Sequence, residues 1–190
     1  MSRAREAPAR TAATAALILG AAAALALRPA VLAGHPLSPS DRAWLLAVLY
    51  LAIGAASLLP PVALDRASLF PAAVGAIGIG AIGLAWWTAG PTAPLVMGTA
   101  GVVLSLVAAV AEEALFRRLA YGHLQRLGVP AAIGGAALLF ALVHIPSYGL
   151  AAFPLDLGAG LLFGWQRWAA GTWTVPAATH AAANLLAVIR

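Results

Sequence analysis

Residues 95–118 read LVMGTAGVVLSLVAAVAEEALFRR: an uncharged run ends at Ala111, and Glu112, Glu113, Arg117 and Arg118 follow it. The uncharged run is long enough for a membrane-spanning helix, which needs about 17 to 25 apolar residues. An ionised side chain inside a span costs about 2.5 to 3.5 kcal/mol, so charges at this depth indicate a functional site.

On a helix, Glu113 and Arg117 lie four positions apart with the acid on the N-terminal side, the favourable order for an ion pair. Glu112 is one position from Glu113 and therefore faces a different side of the helix, which leaves it as the carboxylate without a charged partner. In a simpler interpretation, both acids only pair with Arg117 and Arg118 at a helix end in the membrane interface.

The composition excludes an ordinary soluble domain. Hydrophobic residues make up 63% of the chain, charged residues 9%, and the mean hydropathy is +0.93, whereas soluble domains carry about 25% charged residues. We therefore expect an integral membrane protein. All 11 basic residues are arginines scattered among apolar stretches, so they do not form the basic run of a nucleic-acid-binding protein. Cysteine is absent from the sequence, which excludes disulfides, thiolate catalysis and cysteine-ligated metal sites.

The apolar stretches predict an all-α bundle of about seven transmembrane helices (six to eight), forming a single domain over residues 1–190. The predicted spans are residues 11–27, 43–64, 69–89, 95 through the Glu112 stretch, 131 to about 144, about 150–165, and 172–189. Pro91 and Pro94 suit the start of the fourth span. Because Arg28-Pro29 stands where a signal peptide would have its cleavage site, we expect the first helix to be retained.

The arginines predict the orientation through the positive-inside rule. With a cytoplasmic N-terminus, eight arginines fall on the inner side and three on the outer side. The inner set is Arg3, Arg5, Arg10, Arg66, Arg117, Arg118, Arg126 and Arg167, and the outer set is Arg28, Arg42 and Arg190. We therefore expect the N-terminus to be cytoplasmic.

Two histidines stand at helical spacing from a second notable side chain. Phe140 and His144 share one face of the fifth span, and His180 and Asn184 share one face of the seventh. A single histidine near a helix end is usually only a satisfied polar group. Together with Glu112 the two histidines indicate one site, because polar side chains inside a bundle face one another and not lipid.

The distances along the chain support this convergence in part. Glu112 and His144 each lie about 16 residues from the turn at Gly128, which places both about 24 Å from it in an antiparallel hairpin. His180 is only nine residues past Gly171. Its helix must therefore begin deeper in the bilayer for His180 to join the other two.

In this order, the patterns Glu-Glu-x-x-x-Arg, Phe-x-x-x-His and His-x-x-x-Asn resemble the three motifs of the CPBP family, which comprises the type 2 CAAX prenyl proteases and their bacterial Abi relatives. The motif-bearing half covers residues 94–190. The resemblance implies an intramembrane endopeptidase whose site lies between the motif helices. It implies Glu112 as catalytic acid/base, Glu113 and Arg117 as its support, His144 and His180 as polar catalytic groups, Asn184 as an oxyanion donor, and a substrate contact at Phe140.

Two mechanisms stay open at this point. A carboxylate beside a histidine can deprotonate water, and Asn184 can then stabilise the oxyanion. Alternatively, Glu112, His144 and His180 could hold a divalent metal such as zinc, which lowers the pKa of its bound water to about 7. Metal-binding histidines usually donate their second ring nitrogen to an acceptor. The sequence places few acceptors beside His144 and His180, which favours the metal-free mechanism.

Two other function classes remain as alternatives. Intramembrane Glu, His and Arg also build the relays of proton-coupled transporters, although the chain shows no obvious internal repeat. A non-catalytic scaffold or immunity-like protein could keep the same fold. For a protease, the expected partners are the lipid bilayer and a membrane-associated peptide or protein. The arginine-only, alanine-rich composition is typical of a GC-rich bacterium, which favours the bacterial plasma membrane as location and makes prenylated substrates less expected.

Overall fold

The computed structural model describes residues 3–62, 69–88 and 98–188. Within these residues all regular structure is helical, so the predicted all-α class is confirmed. The seven long helices are α1 (Arg3–Ala33), α2 (Pro39–Leu58), α3 (Pro71–Thr88), α4 (Thr99–Glu113), α6 (Val129–Tyr148), α7 (Phe153–Ala170) and α8 (Thr174–Val188), with the short α5 (Tyr121–Leu124) before α6.

Five of the described helices are long and apolar enough to cross a membrane. They are Arg10–Ala33, Pro39–Leu58, Pro71–Thr88, Thr99–Leu127 and Val129–Tyr148. The remaining long helices, α7 and α8, carry polar side chains such as Asp156, Arg167 and His180, and α8 has only 15 residues. The chain is thus a helical membrane bundle with five candidate spans among the residues that the structure describes.

The predicted end of the first span is wrong. The apolar pattern predicts that the span ends at Leu27 and that Arg28 lies in an outer loop. In the structure, α1 continues through Arg28 and Pro29 to Ala33. Arg28 stays in the helix because its guanidinium has partners inside the bundle, which are described below. The predicted loop with Asp65 and Arg66 and the predicted start of the fourth span at Pro91 and Pro94 lie outside the described residues.

A π-helical segment, Ala114–Ala120, follows Glu113 directly and joins α4 to α5. Such segments are rare and occur frequently at functional sites. Its Arg118 donates to the carbonyls of Ser57 and Pro60 at the end of α2. Arg118 therefore fastens α2 to the segment, and neither acid of the Glu112–Glu113 pair contacts it in the ion pairs observed.

Small residues bring α6 and α7 into close contact. A Cβ added at Gly160 would lie 2.9 Å from the Ala137 Cα, and one at Gly164 would lie 3.0 Å from the Ile133 Cγ2. Small residues allow membrane helices to approach closely where lipid offers no hydrophobic driving force. This contact holds α6, and with it Phe140 and His144, against α7.

A polar contact fixes the position of α8. The Gln166 amide of α7 donates to the Val74 carbonyl of α3 at 3.0 Å and to the Thr179 hydroxyl of α8 at 2.9 Å. The α7–α8 turn passes through Gly171, whose φ of 66° is left-handed and therefore suits glycine. The contact places Thr179, and hence the adjacent His180, beside α3 and α7.

Candidate active site

The Glu112 carboxylate, at the end of α4, lies between a histidine and an arginine. Its Oε2 is 3.6 Å from His144 Nε2, and its Oε1 is 3.3 Å from Arg28 Nη1. Arg28 also donates to the Tyr50 hydroxyl, and its Nη2 lies 3.4 Å from the Ser147 hydroxyl. The expectation that Glu112 has no charged partner is therefore wrong, because α1 supplies one.

The tautomer of His144 follows from its hydrogen bond to the preceding turn of its own helix. Nδ1 lies 2.7 Å from the Phe140 carbonyl oxygen, which can only accept, so Nδ1 carries the proton. In the neutral imidazole, Nε2 therefore presents a lone pair toward Glu112 Oε2. The 3.6 Å separation is too long for a direct hydrogen bond, but both acceptors can contact the same water molecule.

Glu113 faces a different pair of residues. Its Oε1 accepts from His180 Nδ1 at 3.0 Å, and its Oε2 lies 3.3 Å from Arg117 Nε. The Glu113–Arg117 ion pair has the i,i+4 spacing expected from the sequence, and both side chains have no exposed surface. Glu113 is thereby fixed by one partner from its own helix and one from α8.

The Arg117 guanidinium lies among three aromatic rings. Its Cζ is 4.8 Å from the ring centre of Phe140, 5.4 Å from that of Phe163 and 5.9 Å from that of Phe116. Cation–π attraction of about 2 kcal/mol per desolvated contact partly offsets the cost of burying the charge. The buried Arg167 of α7 adds a hydrogen bond from its Nε to the Arg117 carbonyl at 3.1 Å.

Phe140 connects the two histidines. Its ring centre is 4.4 Å from that of His144 and 5.7 Å from that of His180. Because the ring is buried between these side chains and Arg117, it holds the two carboxylate–histidine pairs together. The substrate contact expected of Phe140 stays a prediction.

Asn184 lies one turn beyond His180 on α8. Its amide nitrogen donates to the Ser105 carbonyl of α4 at 3.1 Å, which uses one of its two N–H groups. The depth difficulty noted for His180 disappears, since His180 Nδ1 lies 3.0 Å from Glu113 Oε1. Thus Glu112, Glu113, Arg117, Phe140, His144 and His180 form one connected cluster, with Asn184 beside it.

A metal ion at this site would need Glu112, His144 and His180 as its ligands. In the described part of the chain, no group of three or more His, Asp, Glu or Cys side chains is arranged to hold one. His180 Nδ1 contacts Glu113, whose second oxygen faces Arg117. The Glu113–His180 pair and the Glu112–His144 pair therefore have different partners. However, the argument from missing acceptors is wrong, since His144 donates to the Phe140 carbonyl and His180 to Glu113.

Sequence reasoning missed Arg28, which contacts Glu112, and the two residues that Arg28 also contacts, Tyr50 and Ser147. Arg28 was counted only as a topology determinant. The available signal was its position at the end of an uninterrupted apolar run, where one further helical turn keeps it inside the bundle. Tyr50 and Ser147 gave no signal, because isolated hydroxyl groups are common in apolar helices.

Comparison with known proteins places the motif-bearing half in a family. The family model described as "Type II CAAX prenyl endopeptidase Rce1-like" matches residues 94–186, which include every motif residue of the cluster. Comparisons with curated proteins and with solved structures give no match. Residues 94–186 therefore match the Rce1-like family of type II CAAX prenyl endopeptidases.

Proposed function

We propose that this protein is an intramembrane endopeptidase that hydrolyses peptide bonds of membrane-associated substrates with a water molecule activated by Glu112 and His144. The observation that carries the proposal is the facing of Glu112 Oε2 and His144 Nε2 across 3.6 Å. The match of residues 94–186 to the Rce1-like family supports the same reaction class.

In the proposed mechanism, a water molecule donates one hydrogen to Glu112 and the other to His144. Arg28 holds Glu112 in its ionised form, so the carboxylate can take the proton as the water oxygen attacks the peptide carbonyl carbon. The C–N bond of the tetrahedral intermediate then breaks, and the proton passes from Glu112 to the leaving amine. General-base catalysis of this kind contributes about 10²- to 10⁴-fold.

The oxyanion of the intermediate needs a donor on the other side of the substrate. Asn184 retains a second N–H group and lies one turn from His180, which makes it our candidate. Glu113 has a positioning role in this mechanism. It fixes the His180 ring through Nδ1 and leaves Nε2 for the substrate or the oxyanion.

Burial of the site is part of the proposed function. Glu112, His144 and His180 are 4%, 6% and 8% exposed, which keeps bulk water away and strengthens the electrostatic contacts. A substrate therefore has to enter by displacing neighbouring side chains. Tyr148 is the first candidate, because its ring stacks on His144 at 5.7 Å and is itself 64% exposed.

We favour a mechanism without a metal ion, because the two carboxylates and the two histidines form the separate pairs Glu112–His144 and Glu113–His180. Zinc or another divalent ion would be held by Glu112 and the two histidines and would polarise the attacking water. In the residues that the structure describes, these three side chains do not form a ligand set. No step of the proposed mechanism therefore uses a metal.

The experiment that tests the proposal compares purified wild-type protein with Glu112→Gln in lipid nanodiscs. Both are incubated with a library of membrane-anchored peptides, and new termini are identified by mass spectrometry. We expect cleavage by the wild type alone, with the same thermal unfolding for both proteins. Proton flux in proteoliposomes that depends on Glu112, without any cleavage, would instead support a transporter.

The substrate class can be tested with the same assay. Each anchored peptide is supplied with a C-terminal cysteine motif that is either prenylated or unmodified. We propose cleavage of membrane-associated peptides whether or not they are prenylated. Cleavage confined to prenylated peptides would restrict the substrate class to that of the family description.

A further inference from the structure

A cavity of about 470 Å³ opens at the end of the bundle where the apolar part of α1 begins. Its polar lining comes from Arg10, Thr11, Thr14, His123 and Arg126. None of the described residues that line it is acidic. The Thr14 hydroxyl donates to the Arg10 carbonyl at 2.9 Å, and Arg126 Nη2 lies 2.8 Å from His123 Nε2. The two guanidinium groups, each with five N–H donors, can still donate to an anionic group in the cavity.

The position of the cavity along the helices corresponds to the surface of the membrane. Arg10 immediately precedes the uncharged run that begins at Thr11, and Arg126 is the last residue but one of the candidate span Thr99–Leu127. Pro60, which also lines the cavity, follows the end of α2 by two residues. Ends of membrane spans lie at the level of the lipid headgroups.

A second, apolar groove of about 160 Å³ adjoins this cavity and shares His123 with it. Ala15 and Leu19 of α1 line one side, and Leu124 and Leu139 line the other. On α1, the cavity is lined by residues 10–14 and the groove by residues 15–19, so the groove begins where the cavity ends. A ligand that fills both is polar and anionic at one end and apolar at the other.

We propose that this cavity and groove bind one anionic phospholipid, with the phosphate on Arg10 and Arg126 and an acyl chain along Ala15 and Leu19. The Thr11 hydroxyl lies within the same cavity. Arg10 precedes Arg28 by 18 residues on α1, which corresponds to about 27 Å along the helix. The lipid therefore binds far from Glu112 and is a structural or regulatory ligand, not the substrate.

The test is native mass spectrometry of the full chain in detergent, titrated with phosphatidylglycerol and, separately, phosphatidylcholine carrying the same acyl chains. We expect phosphatidylglycerol to bind at least about tenfold more tightly. The double variant Arg10→Gln/Arg126→Gln should lose about 10- to 30-fold in affinity for phosphatidylglycerol, since two charges near the anionic headgroup are removed. The conservative variant Arg10→Lys/Arg126→Lys should retain most of it.

Arg42→Gln is the matched control, because Arg42 is exposed in the first turn of α2, next to the end of α1 remote from Arg10. Its affinity should stay within about twofold of the wild type. If the double variant fails circular dichroism and gel filtration, the single variants decide, each with an expected loss of about fivefold.

Two results would overturn the proposal. Equal affinity of wild type and folded glutamine variants for phosphatidylglycerol would remove the phosphate contact. Equal binding of inorganic phosphate or of glycerophosphoglycerol, which lacks acyl chains, would show a site for soluble anions and exclude the lipid.

Discussion

Glu112 and Glu113 are neighbours in the chain, but their carboxylates have different surroundings. Glu112 contacts the partly exposed Arg28 and the buried His144, whereas Glu113 contacts Arg117, which has no exposed surface, and the buried His180. A reacting carboxylate needs room for water and substrate, while a positioning carboxylate can be enclosed completely. The partly exposed Arg28 beside Glu112 therefore supports our proposal that Glu112 is the reacting carboxylate.

The first prediction follows from this difference. Glu112→Gln should lower kcat by about 10²- to 10⁴-fold with little change in stability, because it removes the general base. Glu113→Gln should lower kcat less but destabilise the fold, by about 3 kcal/mol, because Arg117 loses its only charged partner among the ion pairs observed. Cleavage rates and thermal unfolding in detergent measure both effects. Equal losses of activity at matched stability would contradict the assignment.

The second prediction concerns Arg28, a positioning residue outside the region matched by the family model. Arg28→Gln should lower kcat by about 10- to 100-fold with KM little changed, because Glu112 loses the group that keeps it ionised and oriented. Arg28→Lys should recover part of the rate, since the positive charge returns without the second guanidinium nitrogen that reaches Ser147. The control is Arg42→Gln. A variant Arg28→Gln with wild-type kcat would exclude a role for α1 in the reaction.

At the scale of the elements, the contact between α6 and α7 determines where His144 lies. Gly160 faces Ala137 across this contact, whereas a Cβ at Gly158, on the same helix, would have no heavy atom within 4 Å. The two glycines therefore form a matched pair, because a methyl group added at Gly160 meets Ala137 whereas one added at Gly158 meets open space.

The third prediction uses this pair. Gly160→Ala should destabilise the protein by about 1 to 3 kcal/mol, because the added methyl group forces α6 and α7 apart. Gly158→Ala should be neutral or stabilising by up to about 1 kcal/mol, since alanine is the better helix former. Unfolding in detergent measures the difference. If Gly158→Ala were the more damaging of the two, the described α6–α7 packing would be wrong.

At the scale of the whole molecule, the residues near the two ends of the bundle allow the orientation to be tested. Arg10 and Arg126 line one cavity at one end, while His35, just past the end of α1, lies near the other. The predicted cytoplasmic N-terminus places Arg126 inside the cell and His35 outside. The absence of native cysteine makes single-cysteine labelling unambiguous.

The fourth prediction follows. In intact cells, a membrane-impermeant maleimide should label His35→Cys and should label Leu127→Cys only after permeabilisation. Both positions are exposed, so accessibility alone does not distinguish them. The reverse pattern would invert the topology and place the proposed lipid site at the outer surface.

The fifth prediction addresses the metal. Activity should survive prolonged chelation, and elemental analysis of active protein should find well under one metal ion per chain. We base this expectation on the arrangement of the side chains: Glu113 contacts His180 and Arg117, while Glu112 lies beside His144, so the carboxylates and histidines form two separate pairs. Loss of activity on chelation that returns specifically with zinc would require the metal-free mechanism to be abandoned.

Features that depend on neighbours along the chain were predictable from the sequence. Long apolar runs predict a helical membrane bundle, because the need to satisfy backbone hydrogen bonds in lipid leaves an isolated apolar segment only the helix. The Glu113–Arg117 pair follows from spacing on one helix, and the three motifs follow from residue order. These properties are local, so they can be identified without knowing which helices touch.

Only the tertiary structure decided which side chains from distant segments meet. Arg28 lies 84 residues from Glu112 and His180 lies 67 residues from Glu113, and no local pattern specifies either contact. Both depend on how α1 and α8 pack against the rest of the bundle, and for α8 the Gln166 bridge and the turn at Gly171 contribute to this packing. The sequence itself determined the membrane class and the residues available for chemistry. The packing of helices remote in sequence determined that Glu112 has an arginine partner and that Glu113 holds His180, because these contacts join side chains that no local spacing relates.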